Sequence, residues 1–260
     1  MSMKTTKENL LKDRTLIAWL LVITMIVTYV RPIGIPLPIT PYTRDFYNFV
    51  NGLSKTSKPV ILSIDMSTGA MAEAFPPLVV IAKHLVKQGT SFIVVGFYQP
   101  EATTIMQDMF KKISIEKTYK YGTDYVGIGY IPGQEIGIAT LATELPKVAK
   151  ADAYGTPIEN LALAKNLKNY ADFSAVISVD SGGMDTMWIR NWAVPHRVPL
   201  YLSILAGQVP NVMSYYKIGQ VQGFIGGIRG AAEYEILTGF LGEAIKSTDV
   251  MSVTHVLGLL

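Results

Sequence analysis

The sequence predicts an α/β fold: a mostly parallel, doubly wound, Rossmann-like sheet preceded by an N-terminal transmembrane helix. Three observations lead there. Short β-branched runs such as PVILSIDM alternate with stretches of helical length, which implies right-handed βαβ crossovers. These runs are apolar throughout rather than alternating, as expected of strands buried on both faces. An uncharged segment, TLIAWLLVITMIVTYV, lies between Arg14 and Arg31 near the start of the chain.

The elements follow in order. Residues 1–14 form a polar tail, expected on the cytoplasmic side, and residues 15–31 the anchor. As a helix, Thr15 to Val30 spans roughly 24 Å, short of the ~30 Å hydrocarbon core. Arg14 and Arg31 can snorkel, and Trp19 and Tyr29 lie near the ends, where interfacial aromatics are favoured. Its length and the lack of a small-x-small site after it argue against a cleaved signal peptide. A buried core helix is the alternative. Lys4, Lys7, Lys12 and Arg14 precede the segment, and Arg31 and Arg44 follow it. That bias expects a single-pass protein of the cell membrane with its main domain outside the cytoplasm.

Residues 32–57 read as a stiff connector and a short helix. RPIGIPLPITPY carries four prolines, which lack amide donors and fix φ. TRDFYNFVNG then forms a helix ending at Gly52. The α/β domain spans 58–242. PVILSIDM is its first strand. MAEAFPPLVVIAKHLVKQG is a helix with an expected interruption at Pro76 and Pro77, ending at Gly89. SFIVVGFY, DYVGIGYI, SAVISVD and PLYLSILA supply four more strands. PEATTIMQDMFKKI, EIGIATLATELPKVAK and PIENLALAKNLKNYADF read as helices between them, and GMDTMWIRNWAV follows the fourth strand. Residues 243–260 are an apolar C-terminal helix, interfacial or the start of a second membrane segment.

Composition narrows the function. The chain is 49% hydrophobic and 17% charged, against about 25% charged in soluble domains. Its net charge of +3, with no basic stripe interleaved with aromatics, excludes a nucleic-acid binder. It has no cysteine, hence no disulfide, thiolate metal site or thiol nucleophile. No Gly-x-Gly-x-x-Gly follows the first strand and no Walker motif occurs, so neither NAD nor ATP is indicated.

In open parallel sheets, ligands bind beyond the carboxyl ends of the strands. The residues there form a candidate ligand-binding rim: Asp65, Ser67, Thr68, Gln99, Gln134, Glu135, Asp180, Ser181, Asp185 and Gln208. Turn and capping roles for these residue types are the alternative. DMSTG resembles the Asp-x-Ser-x-Ser metal loop of von Willebrand factor A domains, with Gly69 in place of the second serine. That resemblance implies a divalent cation on Asp65, Ser67 and Asp180, since Mg²⁺ and Ca²⁺ prefer oxygen ligands. DSGG resembles the glycine-bordered serine of some membrane-linked serine peptidases. It implies Ser181 as nucleophile, with His196 as the histidine able to serve as base, or a lysine in its place.

GQVQGFIGGIRGAAEYE places Gly219, Gly223, Gly227 and Ala231 at four-residue intervals. On a helix these form one side-chain-free stripe that admits close packing. Such a stripe packs on its own sheet or on a second copy; otherwise the segment is a loop plus a short helix from Arg229 able to hold an anion. With no well-formed catalytic constellation, the expectation is a membrane-anchored binding or scaffold domain. It assembles with itself or docks on a membrane-protein partner. A membrane-bound hydrolase using Ser181 is the alternative.

Overall fold

The computed structural model describes residues 14–259. The expected tail, apart from Arg14, and Leu260 lie outside the described residues. Helix α1 (Arg14–Val30) comes first, then the connector and α2 (Pro41–Asn51), which stops at the Gly52 cap. The α/β order follows: β1 (Val60–Asp65), α3 (Met71–Lys87), β2 (Phe92–Gly96), α4 (Ala102–Ile113), β3 (Tyr125–Tyr130), α5 (Glu135–Thr143) and β4 (Ala175–Asp180). Then come α6 (Asp185–Trp188), β5 (Leu200–Ile204), α7 (Val209–Lys217), β6 (Gly223–Gly226), α8 (Gly227–Thr238) and α9 (Glu243–Leu259). Helix α6 runs on through a π-turn, Ile189–Ala193, to His196.

All six strands are parallel, in the order β3-β2-β1-β4-β5-β6. The chain winds outward from β1 to β3, then crosses back to place β4 beside β1. Each face of the sheet carries its own core. Val60, Leu62, Ile64 and Val94 pack among residues of α2, α3, α4 and α8. Ile61, Ile93, Val95 and Leu202 pack with α5, α7 and the indoles of Trp188 and Trp192. Side chains alternate between faces along a strand, and both faces are covered, so the strands are apolar without interruption.

Three elements depart from the sequence reading. Helix α3 runs unbroken through Pro76 and Pro77. Two amide donors are missing there, yet nine of its residues, including both neighbours of the following turn, Leu78 and Val79, are buried and hold it in place. The expected helix over PIENLALAKNLKNYADF is instead three separate 3₁₀ turns: Ile158–Asn160, Ala164–Asn166 and Tyr170–Asp172. Ile158, Leu161, Ala164 and Leu167 recur every three residues and are all buried. That period suits a three-residue turn and drifts around an α-helix.

The third departure is the glycine stripe. Gly219 lies in a turn at φ +75, Gly223 lies in β6, and Gly227 opens α8 at φ +62, so with Ala231 inside α8 the four do not share one helix face. The segment is the sixth strand followed by a helix. It does pack closely against its own domain. A Cβ on Gly223 would lie 2.6 Å from the Phe46 amide nitrogen of α2. This approach lets Tyr42 stack on Phe224, with ring centroids 4.0 Å apart.

Buried carboxylates strap the chain ends to this core. Glu233 of α8 accepts hydrogen bonds from the Thr40 amide (2.9 Å) and hydroxyl (2.6 Å). Asp249 of α9 accepts from the amides of Gly34 (2.8 Å) and Ile35 (3.1 Å). Glu235 accepts from the amides of Gly242, Ala244 and Ile245, capping the start of α9 from outside the helix. Helix α9 then lies against α1. Contacts step from Tyr29 and Glu243 to Met25 beside Val250 and Met251, so the pair runs antiparallel.

Glycine spacing at β6 has a measurable consequence. Gly223→Ala should destabilise the protein by about 1–3 kcal/mol, because α2 backbone fills the space. Gly207→Ala, where nothing lies within 4 Å, should leave thermal stability nearly unchanged. Equal melting temperatures for both variants would contradict the close approach.

Candidate functional site

Because the strands are parallel, their carboxyl ends share one edge, and the crossover places the loops after β1 and β4 side by side. That is the switch point at which open α/β sheets bind ligands. Asp65 and Asp180 are register partners as the last residues of β1 and β4, and both are fully buried.

Asp65 is surrounded by donors. Its Oδ1 accepts the Phe97 amide at 2.9 Å. Its Oδ2 accepts the Ser178 hydroxyl at 2.7 Å and the Trp188 indole N–H at 2.9 Å. Burial raises its pKa, and the hydrogen bonds from Trp188, Phe97 and Ser178 oppose that rise. Asp180 organises the loop after β4. Its Oδ1 accepts the Gly182 amide at 2.7 Å, and its Oδ2 accepts the Asp185 amide at 3.1 Å and the Gln208 side-chain amide at 3.3 Å. Burial pushes its pKa up to about 7, aided by the nearby charges of Asp65 and Asp185 and opposed by the Gly182 amide. Gly182 is glycine because the Tyr98 ring lies over it: a Cβ would approach that ring to 2.4 Å.

Ser67 and Ser181 join the two loops. The Ser67 amide donates to Ser181 Oγ at 3.0 Å, and the Ser181 amide donates to the Asp65 carbonyl at 3.1 Å. Beside this junction opens a cleft of about 690 Å³. Ser181, Asp185 and Gln208 of the expected rim line it, joined by Gly183, Thr186, Asn211, Ser214 and Tyr215. Asn211, Ser214 and Tyr215 share one face of α7 by their three- and four-residue spacing. That polar face within QVPNVMSYY is the sequence signal that the rim reading missed. None of the lining residues is basic. Hydroxyls, carboxamides and one carboxylate suit a neutral, hydrogen-bonding small molecule better than an anion.

Other expected rim residues lie apart from this centre. Thr68 opens an exposed 3₁₀ turn. Gln99 begins the turn into α4, its carbonyl accepting the Ala102 amide. Gln134 is exposed, with φ +42, a strained backbone for a residue other than glycine. Glu135 pairs with Arg190 at 3.2 Å and also accepts from Asn191, bracing α5 against the π-turn.

At the expected cation site on Asp65, Ser67 and Asp180, N–H and O–H donors bond both Asp65 oxygens. Among the described residues no group of three His, Cys, Asp or Glu is placed to hold a metal. The expected Ser181–His196 pair does not form. Ser181 follows the carboxyl end of β4, whereas His196 precedes the amino end of β5. His196 stacks on Tyr170, ahead of β4, with ring centroids 4.0 Å apart. The helical segment between Ser181 and His196 carries the histidine to the opposite edge of the sheet.

Comparison with family models, with curated proteins and with solved structures found no match.

Asp180 makes stability depend on pH with a definite sign. Its folded pKa lies above the unfolded value, so the folded state holds the proton more tightly. That contribution is present at low pH and is lost as pH rises toward and through about 7. Buried His84, lowered to about 4 by burial, acts in the opposite sense, losing stability as pH falls below 6.5. Asp180→Asn should therefore remove, relative to the unmodified protein, a decline on the order of 2 kcal/mol between pH 5 and 8. Denaturant melts across that range read this difference. Parallel pH profiles for the two proteins would contradict the assignment.

Proposed function

We propose that this chain is a membrane-anchored α/β binding domain, held at a bilayer by α1 and presenting the switch-point cleft to a small polar ligand. The observation that carries this reading is the surface of α1. Leu16, Trp19, Leu20, Ile23, Ile26, Val27 and Val30 form one face of the helix by their three- and four-residue spacing, Ile17, Val22 and Met25 lie on its other sides, and each of the ten is more than 40% exposed. The segment from Thr15 to Val30 contains no charge. Water would solvate this surface at a cost of about 25 cal/mol per Å² of apolar area, which lipid removes.

The helix has 17 residues, about 25 Å, and Arg14 and Arg31 flank it as interfacial anchors. Thr68–Lys87, at 20 residues, is longer and apolar enough to cross a bilayer, but half of it is buried. It serves as the central core helix. Positive charge before α1 places the α/β domain outside the cytoplasm in this reading. A second copy, or another membrane helix, would pack on the same α1 surface within the bilayer. No Ser–His pair assists Ser181, which leaves binding ahead of hydrolysis.

Alkaline carbonate extraction of membranes containing the full chain tests the anchor. The protein should stay in the membrane pellet. Release into the supernatant as a monodisperse soluble species, including a soluble oligomer that hides α1 between copies, would overturn the reading.

A further inference from the structure

On the side of the domain away from the cleft, α3, α4 and the start of α9 enclose two adjoining pockets of about 260 and 320 Å³ that share Lys83 and Phe240. Three more lysines border them: Lys87, Lys112 and Lys246. Lys83 and Lys87 are one helical turn apart on α3, a like-charge spacing that costs a helix stability. Their ammonium groups lie 6.0 and 5.4 Å from the Phe240 ring centroid. Among the described residues no carboxylate forms an ion pair with Lys83, Lys87 or Lys112.

The acidic groups nearby are otherwise engaged. Glu235 is taken up by three backbone amides. Glu243 binds the Tyr29 hydroxyl and pairs with Lys246 at 3.6 Å. Lys83, Lys87 and Lys112 thus border an apolar floor of Phe75, Val79 and Phe240 without an ion pair, and with Lys246 they outnumber the two carboxylates that line the same pocket, Glu235 and Glu243, the latter also sensing the Lys112 charge. Surplus positive charge at the rim of an apolar pocket complements an amphiphile with an anionic head. Its position supports the same ligand. Lys246 lies 5.6 Å from the ring of Tyr29, in the last turn of α1. The pocket thus opens at the foot of the α1–α9 pair, where the bilayer surface lies if α1 is inserted.

We infer that this pocket binds the phosphate headgroup of an anionic phospholipid, with Lys83, Lys87 and Lys112 holding the phosphate and Phe75 and Phe240 receiving the glycerol and first acyl carbons. The inference rests on the anchored reading, so its test is built to fail separately. The full chain in uncharged detergent is melted with added phosphatidylglycerol, phosphatidylcholine or inorganic phosphate. Phosphatidylglycerol should raise the melting temperature at concentrations where the other two do not.

The variant Lys83→Gln/Lys112→Gln should need at least tenfold more phosphatidylglycerol for the same shift. Its melting temperature without lipid, and its retention in carbonate-washed membranes, should be unchanged. Lys165→Gln, on the exposed 3₁₀ segment, should respond as the unmodified chain does. Equal shifts from phosphatidylcholine, an equal shift from inorganic phosphate, or an undiminished response in the double variant would each overturn the site. Carbonate release of a chain that still shows the lysine-dependent lipid shift would overturn the anchor alone.

Discussion

The buried carboxylate of Asp65 is the contact on which the arrangement of the switch point depends. It ends β1 and accepts hydrogen bonds from three other parts of the fold: the loop leaving β2, strand β4 and helix α6. A carboxyl group this deep is tolerated only with its hydrogen-bonding capacity filled. The reciprocal holds for its partners, since an indole N–H, a backbone amide and a hydroxyl would otherwise be left unpaired at a cost of about 1–3 kcal/mol each. The consequence for function runs through geometry. Asp65 holds Trp188 at the end of α6, Asp180 holds the Asp185 amide at its start, and α6 sets where Asp185 and Thr186 meet the cleft.

A second set of carboxylates does for the chain ends what Asp65 does for the sheet. Glu233, Glu235 and Asp249 are buried, and the first and last reach connector amides 193 to 215 residues away in sequence. The proline-rich connector has few amides of its own to satisfy, and those that point inward meet these acids. The connector is therefore seated on the domain, so α1 leaves the fold from a defined place beside α9. This fixed exit brings the lysine-rimmed pocket and the apolar helix to the same end of the molecule.

Much of this was legible in the residues. Five strands could be read because a doubly covered parallel strand has one pattern, an uninterrupted β-branched run, and the cleft's edge followed from topology alone. β6 was hidden because GFIG has two glycines and only two large side chains, and its glycines fall at helical intervals. The 3₁₀ turns were hidden because apolar residues three apart look helical until the drift over four repeats is counted. The structure brings part of the expected rim together. Asp180, Ser181, Asp185 and Gln208 do meet, but sequence cannot say whether Asp65 faces a ligand or a ring of donors. Ser181 and His196 illustrate the same limit, being 15 positions apart yet at opposite edges of the sheet.

The central claim is that α1 lies in lipid, and its own tryptophan can report on it. The chain has three tryptophans. Trp188 and Trp192 are fully buried, whereas Trp19 on α1 is 62% exposed. In vesicles containing phospholipids brominated along the acyl chain, Trp19 should be quenched while the two core indoles are spared. Partial quenching that disappears in Trp19→Phe is the result the anchored fold predicts. Emission unaffected by brominated acyl chains, with the protein bound to the vesicles, would contradict it.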